Sequence, residues 1–360
     1  MTSSHIAIQR SSAPLEAARR QEILEQPGFG LHFTDHMFVS EWTPEDGWHD
    51  ARVKPYGPFS VDPASSVLHY AQEIFEGTKA YRRDDGSVWS FRLRANAERF
   101  QRSAHRLALP ELPVDDFVAA VEALVNTDVD WVPSGGEKSL YIRPFMFASE
   151  VFLGVRPSKH VTFAVIASPA GPYFAGGVKP VTLWLSEEFN RAAPGGTGAA
   201  KCGGNYAASL VAQQEAIDNG CDQVAFLDAV ESRYVEELGG MNLFFVFDDG
   251  TLATPELSGS ILEGVTRSSI MEIADELGHK VDERKVSIDE WRDGVASGSI
   301  TEVFACGTAA VITPVASLKW RGGEVSAQSD ARLANQIRTR LLDVQYGRAE
   351  DQYGWMHRIV

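Results

Sequence analysis

The chain has 360 residues, of which 44% are hydrophobic and 23% charged, and a formal net charge of −16. That length suits two ordinary domains with sizeable cores, and the acidity excludes nucleic acid and anionic membranes as principal partners, because both are bound by basic surfaces. Three cysteines (Cys202, Cys221, Cys306) are odd in number and lack CxxC spacing, which argues against a disulfide framework and a zinc site and fits a reducing compartment.

The N-terminal stretch MTSSHIAIQRSSAPLEAARRQEIL lacks the apolar run of a signal peptide, and NLFFVF is far too short to span a bilayer; the expected location is the cytoplasm. Residues 1–30 read as a polar, irregular arm. MFVSEW, KAYRR and VWSFRL read as strands. NAERFQRSAHRLAL carries Phe100, Ala104 and Leu107 at helical spacing, with Asn96 as its expected N-cap, and VDDFVAAVEALVNT is a second amphipathic helix. SLYIRPFMFA and HVTFAVIASP return to strand character. ASPAGPYFAGGVKP (167–180), rich in Gly, Pro and Ala, reads as a linker, so the expected division is a small N-terminal domain over 1–170, a linker over 171–181 and a large domain over 182–360 that carries Lys201.

In the second part VTLWLSEEF reads as a strand, followed by the glycine-rich loop GGTGAAKCGGNY (195–206) and a helix over ASLVAQQEAIDNG closed by Gly220. QVAFLD and MNLFFVF are strands, the latter turning at DDG into TLATP. ILEGVTRSSIMEIADELGHK is a helix, EVFACGTAAVITPV a strand broken at Gly307, and DARLANQIRTRLLDVQYG a closing helix. The expected fold class is a two-domain α+β or α/β mixture.

The loop around Lys201 poses the functional question. A tight turn with a solvated lysine explains the glycines. So does a Schiff-base lysine: an amine is nucleophilic only when neutral, its ordinary pKa is about 10.4, and desolvation and cationic neighbours lower it. The second reading requires partners, and candidates exist. The helix start at Glu263-Gly264-Val265-Thr266 offers backbone N–H groups to a phosphate, Gly307-Thr308 adds N–H groups and a hydroxyl, and Arg99 is a bidentate cation. Glu237 is a carboxylate able to hold a pyridine nitrogen protonated; its neighbour Glu236 shows that the signal is weak by itself, since a plain surface acid reads the same way. Tyr206 follows the lysine loop.

Taken together, FTDHMF (33–38), LHYAQEIFEGTKAY (68–81), NAERFQRSA (96–104), YIRPFMFASE (141–150), GGTGAAKCGGNYAAS (195–209), EELGGMNLFFVF (236–247), LEGVTR (262–267) and EVFACGTAAVITPV (302–315) resemble the branched-chain amino acid aminotransferases, class IV (fold type IV) pyridoxal-phosphate enzymes related to D-amino acid aminotransferase. The resemblance implies pyridoxal 5′-phosphate held between the domains. It makes Lys201 the Schiff-base lysine and proton carrier, Glu237 the partner of the pyridine nitrogen and Tyr206 the partner of the phenolic oxygen. Arg99, Val265, Thr266 and Thr308 become the phosphate site, and Arg191 supports the cofactor indirectly. Phe29, Phe75, Tyr141 and Tyr173 become the aliphatic pocket, Val155 a residue offered by the partner of a homodimer, and Tyr70 with the backbone near Gly240 and Ala309 the α-carboxylate site. Arg143 takes the distal carboxylate of glutamate. The implied reaction is ping-pong transfer between L-leucine, L-isoleucine or L-valine and 2-oxoglutarate. No metal is implied.

The chain departs from some relatives in two places. Thr308–Thr313 lacks a CxxC pair, so no thiol switch is expected there, and Gly240 replaces a threonine, leaving only backbone N–H. The alternatives at this stage are a D-amino acid aminotransferase, an aminodeoxychorismate lyase, or a non-catalytic phosphate-binding scaffold.

Overall fold

The structure is a computed structural model that describes residues 6–172, 179–327 and 329–360. The chain forms two compact units: Met1–Ala175 with Ala200–Gly203 and Val344–Val360, and Gly176–Ala199 with Gly204–Asp343. The break near 175 falls inside the expected linker, but the lysine segment and the C-terminus group with the first unit, where the sequence reading put them in the second. Cores are assembled by proximity in space, and two short returns of the chain carry no compositional mark.

The first unit contains strands β1 (Ala7–Ile8), β2 (His36–Thr43), β3 (Gly47–Pro55), β4 (Glu73–Phe75), β5 (Thr78–Arg82), β6 (Val88–Phe91), β7 (Ser139–Ala148) and β8 (Val161–Ala170), and the C-terminal strand Met356–Arg358. They form one sheet in the order β1-β3-β2-β8-β7-β5-β6-C-terminal strand, with β4 on the side of β7. Helices α1 (Ala17–Glu25), α2 (Ser66–Tyr70), α3 (Leu93–Arg106) and α4 (Val114–Thr127) accompany it. The expected irregular arm is thus structured: β1 pairs with β3, and Ile23 and Leu24 of α1 join the core. A polar sequence with few apolar positions conceals a helix that buries only a narrow stripe.

Strands β7 and β8 pair along their full length, and β8 is almost wholly buried. Phe163 of β8 meets Phe38, Phe100 and Phe117 at 5.8, 5.6 and 6.1 Å between ring centroids, so α3 and α4 are fastened to the sheet by aromatic contacts. Helix α3 begins four residues earlier than expected, after Arg92 in the left-handed region. Asn96 is therefore not its cap. Its buried face includes Asn96, Arg99 and Ser103 among Leu93, Phe100 and Ala104, which places polar groups on the inner stripe.

The second unit contains β9 (Val181–Ser186), β10 (Gln223–Leu227), β11 (Val235–Leu238), β12 (Asn242–Phe247), β13 (Leu252–Thr254), β14 (Val281–Glu283), β15 (Ile300–Gly307), β16 (Val311–Trp320) and β17 (Gly323–Ser326). Its sheet runs β11-β10-β9-β16-β15-β12-β13-β14, with β17 on β16. The helices are α5 (Gly203–Ala207), whose first residue belongs to the first unit, α6 (Leu210–Asp218), α7 (Val265–Glu276), α8 (Ile288–Ser297) and most of α9 (Arg332–Gln345). Phe244 stacks on Phe304 at 5.1 Å, and Phe245 meets Trp291 of α8 at 5.1 Å. No helix among the described residues is long and apolar enough to cross a membrane.

Candidate active site

In the first unit the lysine segment is tied down on both sides of its reactive residue. Ala200 and Cys202 are buried in the core and anchor the chain around half-buried Lys201. The Lys201 N–H donates to Ser103 Oγ at 3.0 Å, and the Lys201 carbonyl accepts the Phe75 N–H at 3.0 Å. One step further, the Gly203 N–H donates to the Glu73 carboxylate. A Cβ on Gly203 would stand 2.3 Å from Glu73 Oε1, so a side chain here would have to displace the Glu73 carboxylate.

The Lys201 ammonium lies 4.8 Å from the centroid of the Phe75 ring, and the Arg143 guanidinium lies over the same ring, also at 4.8 Å. Arg143 donates to Tyr141 Oη at 2.9 Å, and Tyr141 meets Phe29 edge-on at 5.0 Å. A Cβ on Gly77 would collide with Tyr141 Oη at 2.2 Å. Lys201, Phe75, Arg143, Tyr141 and Phe29 are therefore one contiguous group. Tyr70 donates its hydroxyl to the Leu153 carbonyl, which joins it to the loop bearing Val155. Tyr173 lies outside the described residues.

Arg99 holds Glu76 in a bidentate grip, Nε to Oε1 at 2.7 Å and Nη2 to Oε2 at 2.8 Å. Asn96 Nδ2 adds 2.9 Å and the Gly77 N–H 3.1 Å. Glu76 is fully buried and Arg99 nearly so. Burial by itself would raise the Glu76 pKa; the charge and hydrogen bonds of Arg99, the Lys201 charge and the Asn96 bond outweigh it and hold the carboxyl below its ordinary value. Lys201 and Arg143 share contact with the Phe75 ring, and Glu76 is an anion that the sequence reading did not include.

In the second unit Glu236 and Glu237 are consecutive on β11 and both buried, and their partners separate them. Glu237 forms an ion pair with Arg191 and accepts from Asn242 Nδ2 and the Leu262 N–H, each at 3.4 Å. Glu236 takes hydroxyl donors from Ser260 and Ser258; burial raises its pKa, while Ser260 and Arg191 pull it back. Arg191 also donates to the carbonyls of Ser260 and Gly198. It thus acts on Glu237 from behind.

Asn242 bonds the Leu262 carbonyl at 3.1 Å, and its Oδ1 would lie 2.1 Å from a Cβ on Gly264. Gly264 is the N-cap of α7 and supplies no side-chain cap, so the N–H groups of Val265 and Thr266 head an uncapped helix. Tyr206 lies against Gly240, where a Cβ would be 3.5 Å from its Cε1. Thr308 and Ala309 occupy the turn joining β15 to β16, whose first pair is Gly307 with Val311; Val311 is left-handed at φ 63, a costly state for a β-branched residue. Cys306, on β15 opposite Asn242, is buried, and burial pushes its thiol up to about 12 against the pull of Arg267. Among the described residues no group of three His, Cys, Asp or Glu side chains is placed to hold a metal.

Sequence reasoning missed Glu73, Glu76, Ser103 and Asn242. The spacing of Asn96, Arg99 and Ser103 on the inner stripe of a helix is the signal that would find Ser103 and call for a buried partner such as Glu76, since polar groups on such a stripe need buried partners.

Residues 73–318 match the family described as amino-transferase class IV. The chain is similar to a probable branched-chain-amino-acid aminotransferase of Streptomyces coelicolor, 56% identical over 362 aligned positions that cover 100% of both chains. It resembles the crystal structure of the Escherichia coli branched-chain amino acid aminotransferase with a TM-score of 0.76 at 30% identity, covering 91% of this chain and 99% of that one. For the Thermobaculum terrenum branched-chain amino acid aminotransferase, solved in its PLP form, the TM-score is 0.73 at 25% identity, with 91% and 98% covered.

Proposed function

Because the chain belongs to the class IV amino-transferase family, we propose that it catalyses reversible transamination between L-leucine, L-isoleucine or L-valine and 2-oxoglutarate with pyridoxal 5′-phosphate. The observation that carries this reading is the pairing of Lys201 and Arg143 at one Phe75 ring, each 4.8 Å from its centroid. A reactive amine and a cation suited to a distal carboxylate thus share one aromatic wall. An aliphatic side chain gains about 0.8 kcal/mol per buried methylene on that wall, whereas a carboxylate buried there without a cation is costly to desolvate.

The residue types suit the cofactor: an amine in the first unit, and in the second a buried carboxylate, a phenol and an uncapped helix start of the kind that receives phosphate. Pyridoxal phosphate, when bound, supplies an aldehyde carbon for amine exchange and a ring that withdraws electrons. Lys201 moves the proton at the substrate α-carbon. Glu237 accepts the pyridine N–H, and Arg191 orients Glu237. Tyr206 donates toward the phenolic oxygen. Arg99, Val265, Thr266 and Thr308 hold the phosphate, Arg99 doing so while Glu76 fixes its Nε edge. Tyr70 and the backbone at Gly240 and Ala309 take the α-carboxylate. Phe29, Phe75 and Tyr141 wall the side chain.

A homodimer in which Val155 serves the partner's site is part of the proposal. Its support is the exposure of Val151, Leu153 and Val155, the last at 81%, on the loop that Tyr70 holds; apolar exposure of this kind marks an interaction surface. Cytoplasmic residence is also proposed, and the unpaired, buried Cys202, Cys221 and Cys306 suit it.

The test is glutamate formation from L-leucine and 2-oxoglutarate, with D-alanine and aminodeoxychorismate assayed beside them. Lys201→Ala should abolish turnover, and Arg143→Met should weaken 2-oxoglutarate while sparing the leucine half reaction. Normal turnover by Lys201→Ala, or preference for either control substrate, would reject the reading.

A further inference from the structure

Glu73 has no part in the chemistry described so far, yet it sits at the junction of the lysine segment and the pocket. Its carboxylate accepts the Gly203 N–H, two residues from Lys201, and fills the space where a Cβ of residue 203 would go. It occupies the same face of β4 as Phe75, two residues on, and that ring carries both Lys201 and Arg143. Burial raises its pKa, while the Gly203 hydrogen bond and the Arg143 charge lower it, and Arg143 lies over the ring of Phe75 on the same strand.

We propose that Glu73 is a positioning and specificity-determining residue: its carboxylate holds the backbone beside Lys201 and shares the charge of Arg143, so that dicarboxylate and aliphatic substrates are balanced in one pocket. The inference rests on the roles proposed above for Lys201 and Arg143. The physical logic is a difference of affinities. A dicarboxylate must compete with the Glu73 charge for Arg143, while an aliphatic acid makes no such demand. Each substrate of the ping-pong cycle then leaves the site ready for the other.

Two variants separate the two duties. Glu73→Gln keeps an oxygen for the Gly203 N–H and removes the charge; Glu73→Ala removes both. The probes are glutarate and 4-methylvalerate, which lack a transferable group, titrated calorimetrically into the cofactor-loaded enzyme. In Glu73→Gln, glutarate should bind about three- to tenfold more tightly, the scale of a partly screened like charge removed, with 4-methylvalerate within about twofold of wild type. Its kcat with L-leucine should stay near wild type, whereas Glu73→Ala should lose about tenfold or more in kcat. Equal shifts for both probes, no shift for either, or wild-type kcat in Glu73→Ala would overturn the proposal. If Glu73→Ala does not fold, the probe titration of Glu73→Gln decides alone. A wild-type enzyme that makes no glutamate from leucine and 2-oxoglutarate would instead reject the functional reading itself.

Discussion

Glu76→Ala removes the centre of the buried cluster in the first unit. Its carboxylate receives Arg99 Nε and Nη2 at 2.7 and 2.8 Å, Asn96 at 2.9 Å and the Gly77 N–H at 3.1 Å. Deleting one partner of a buried ion pair costs about 3–5 kcal/mol, since the other charge is left uncompensated; the orphaned amide and N–H belong to the same network and do not simply add. In a unit of this size each kcal/mol moves the melting temperature by about 2–4 °C, so the first-unit transition should fall by about 10 °C in scanning calorimetry, with and without added pyridoxal phosphate. The double variant Glu76→Leu, Arg99→Met should recover more than half of that loss, because a hydrophobic pair of similar volume needs no desolvation. The sign with pH follows from the depressed carboxyl. Its stabilisation is full above the unfolded value of 4.5 and is lost as pH falls through the lower folded value, so wild type and Glu76→Ala should converge in acid. A single variant melting within about 2 °C of wild type at neutral pH would refute this account of the cluster.

Gly198→Ala would place a Cβ 2.1 Å from the Ser260 carbonyl oxygen and 2.6 Å from Ala192 Cβ; since backbone must shift, it should cost about 1–3 kcal/mol and disturb the Ser260 and Gly198 carbonyls that Arg191 uses, read as a lower second-unit melting temperature together with weaker cofactor retention. Cys306, with its thiol pushed to about 12, should resist iodoacetamide at about pH 8 in the native protein and react after unfolding; native labelling at the rate of an ordinary thiol would contradict its burial. Glu236 is raised from 4.5 by burial, so the folded chain holds its proton more tightly than the unfolded chain. That contribution is present in full below 4.5 and lost as pH rises through the folded value. Glu236→Gln should flatten the decline of stability between 4.5 and the raised folded value, and an unchanged slope there in pH-dependent urea melts would count against it.

The elements with regular periodicity were legible. VDDFVAAVEALVNT and SLYIRPFMFA correspond residue for residue to α4 and β7, and the glycines closing two helices, Gly220 and Gly278, are left-handed at φ 68 and 83, as their positions require. Helix α8 went unread although Ser287 caps it by accepting the Glu290 N–H at 3.0 Å, a local Ser-x-x-Glu signal. Strand β11 was missed because VEEL carries two acids. A buried strand normally reads as apolar, and these two are tolerated by partners distant in sequence, Arg191 and Ser260.

Motif order by itself determined the family, the candidate lysine and the residue types around it, because chemistry of this kind needs particular side chains whose identities are written in the sequence. Only the tertiary structure decided which unit holds Lys201, that Arg99 is engaged by Glu76, which of Glu236 and Glu237 meets Arg191, and that the Glu73 carboxylate lies against Gly203. The reason is physical. Each of those facts is a contact between groups far apart along the chain, Gly203 with Glu73 and Lys201 with Ser103 among them, and neither propensity nor periodicity encodes the distance between them.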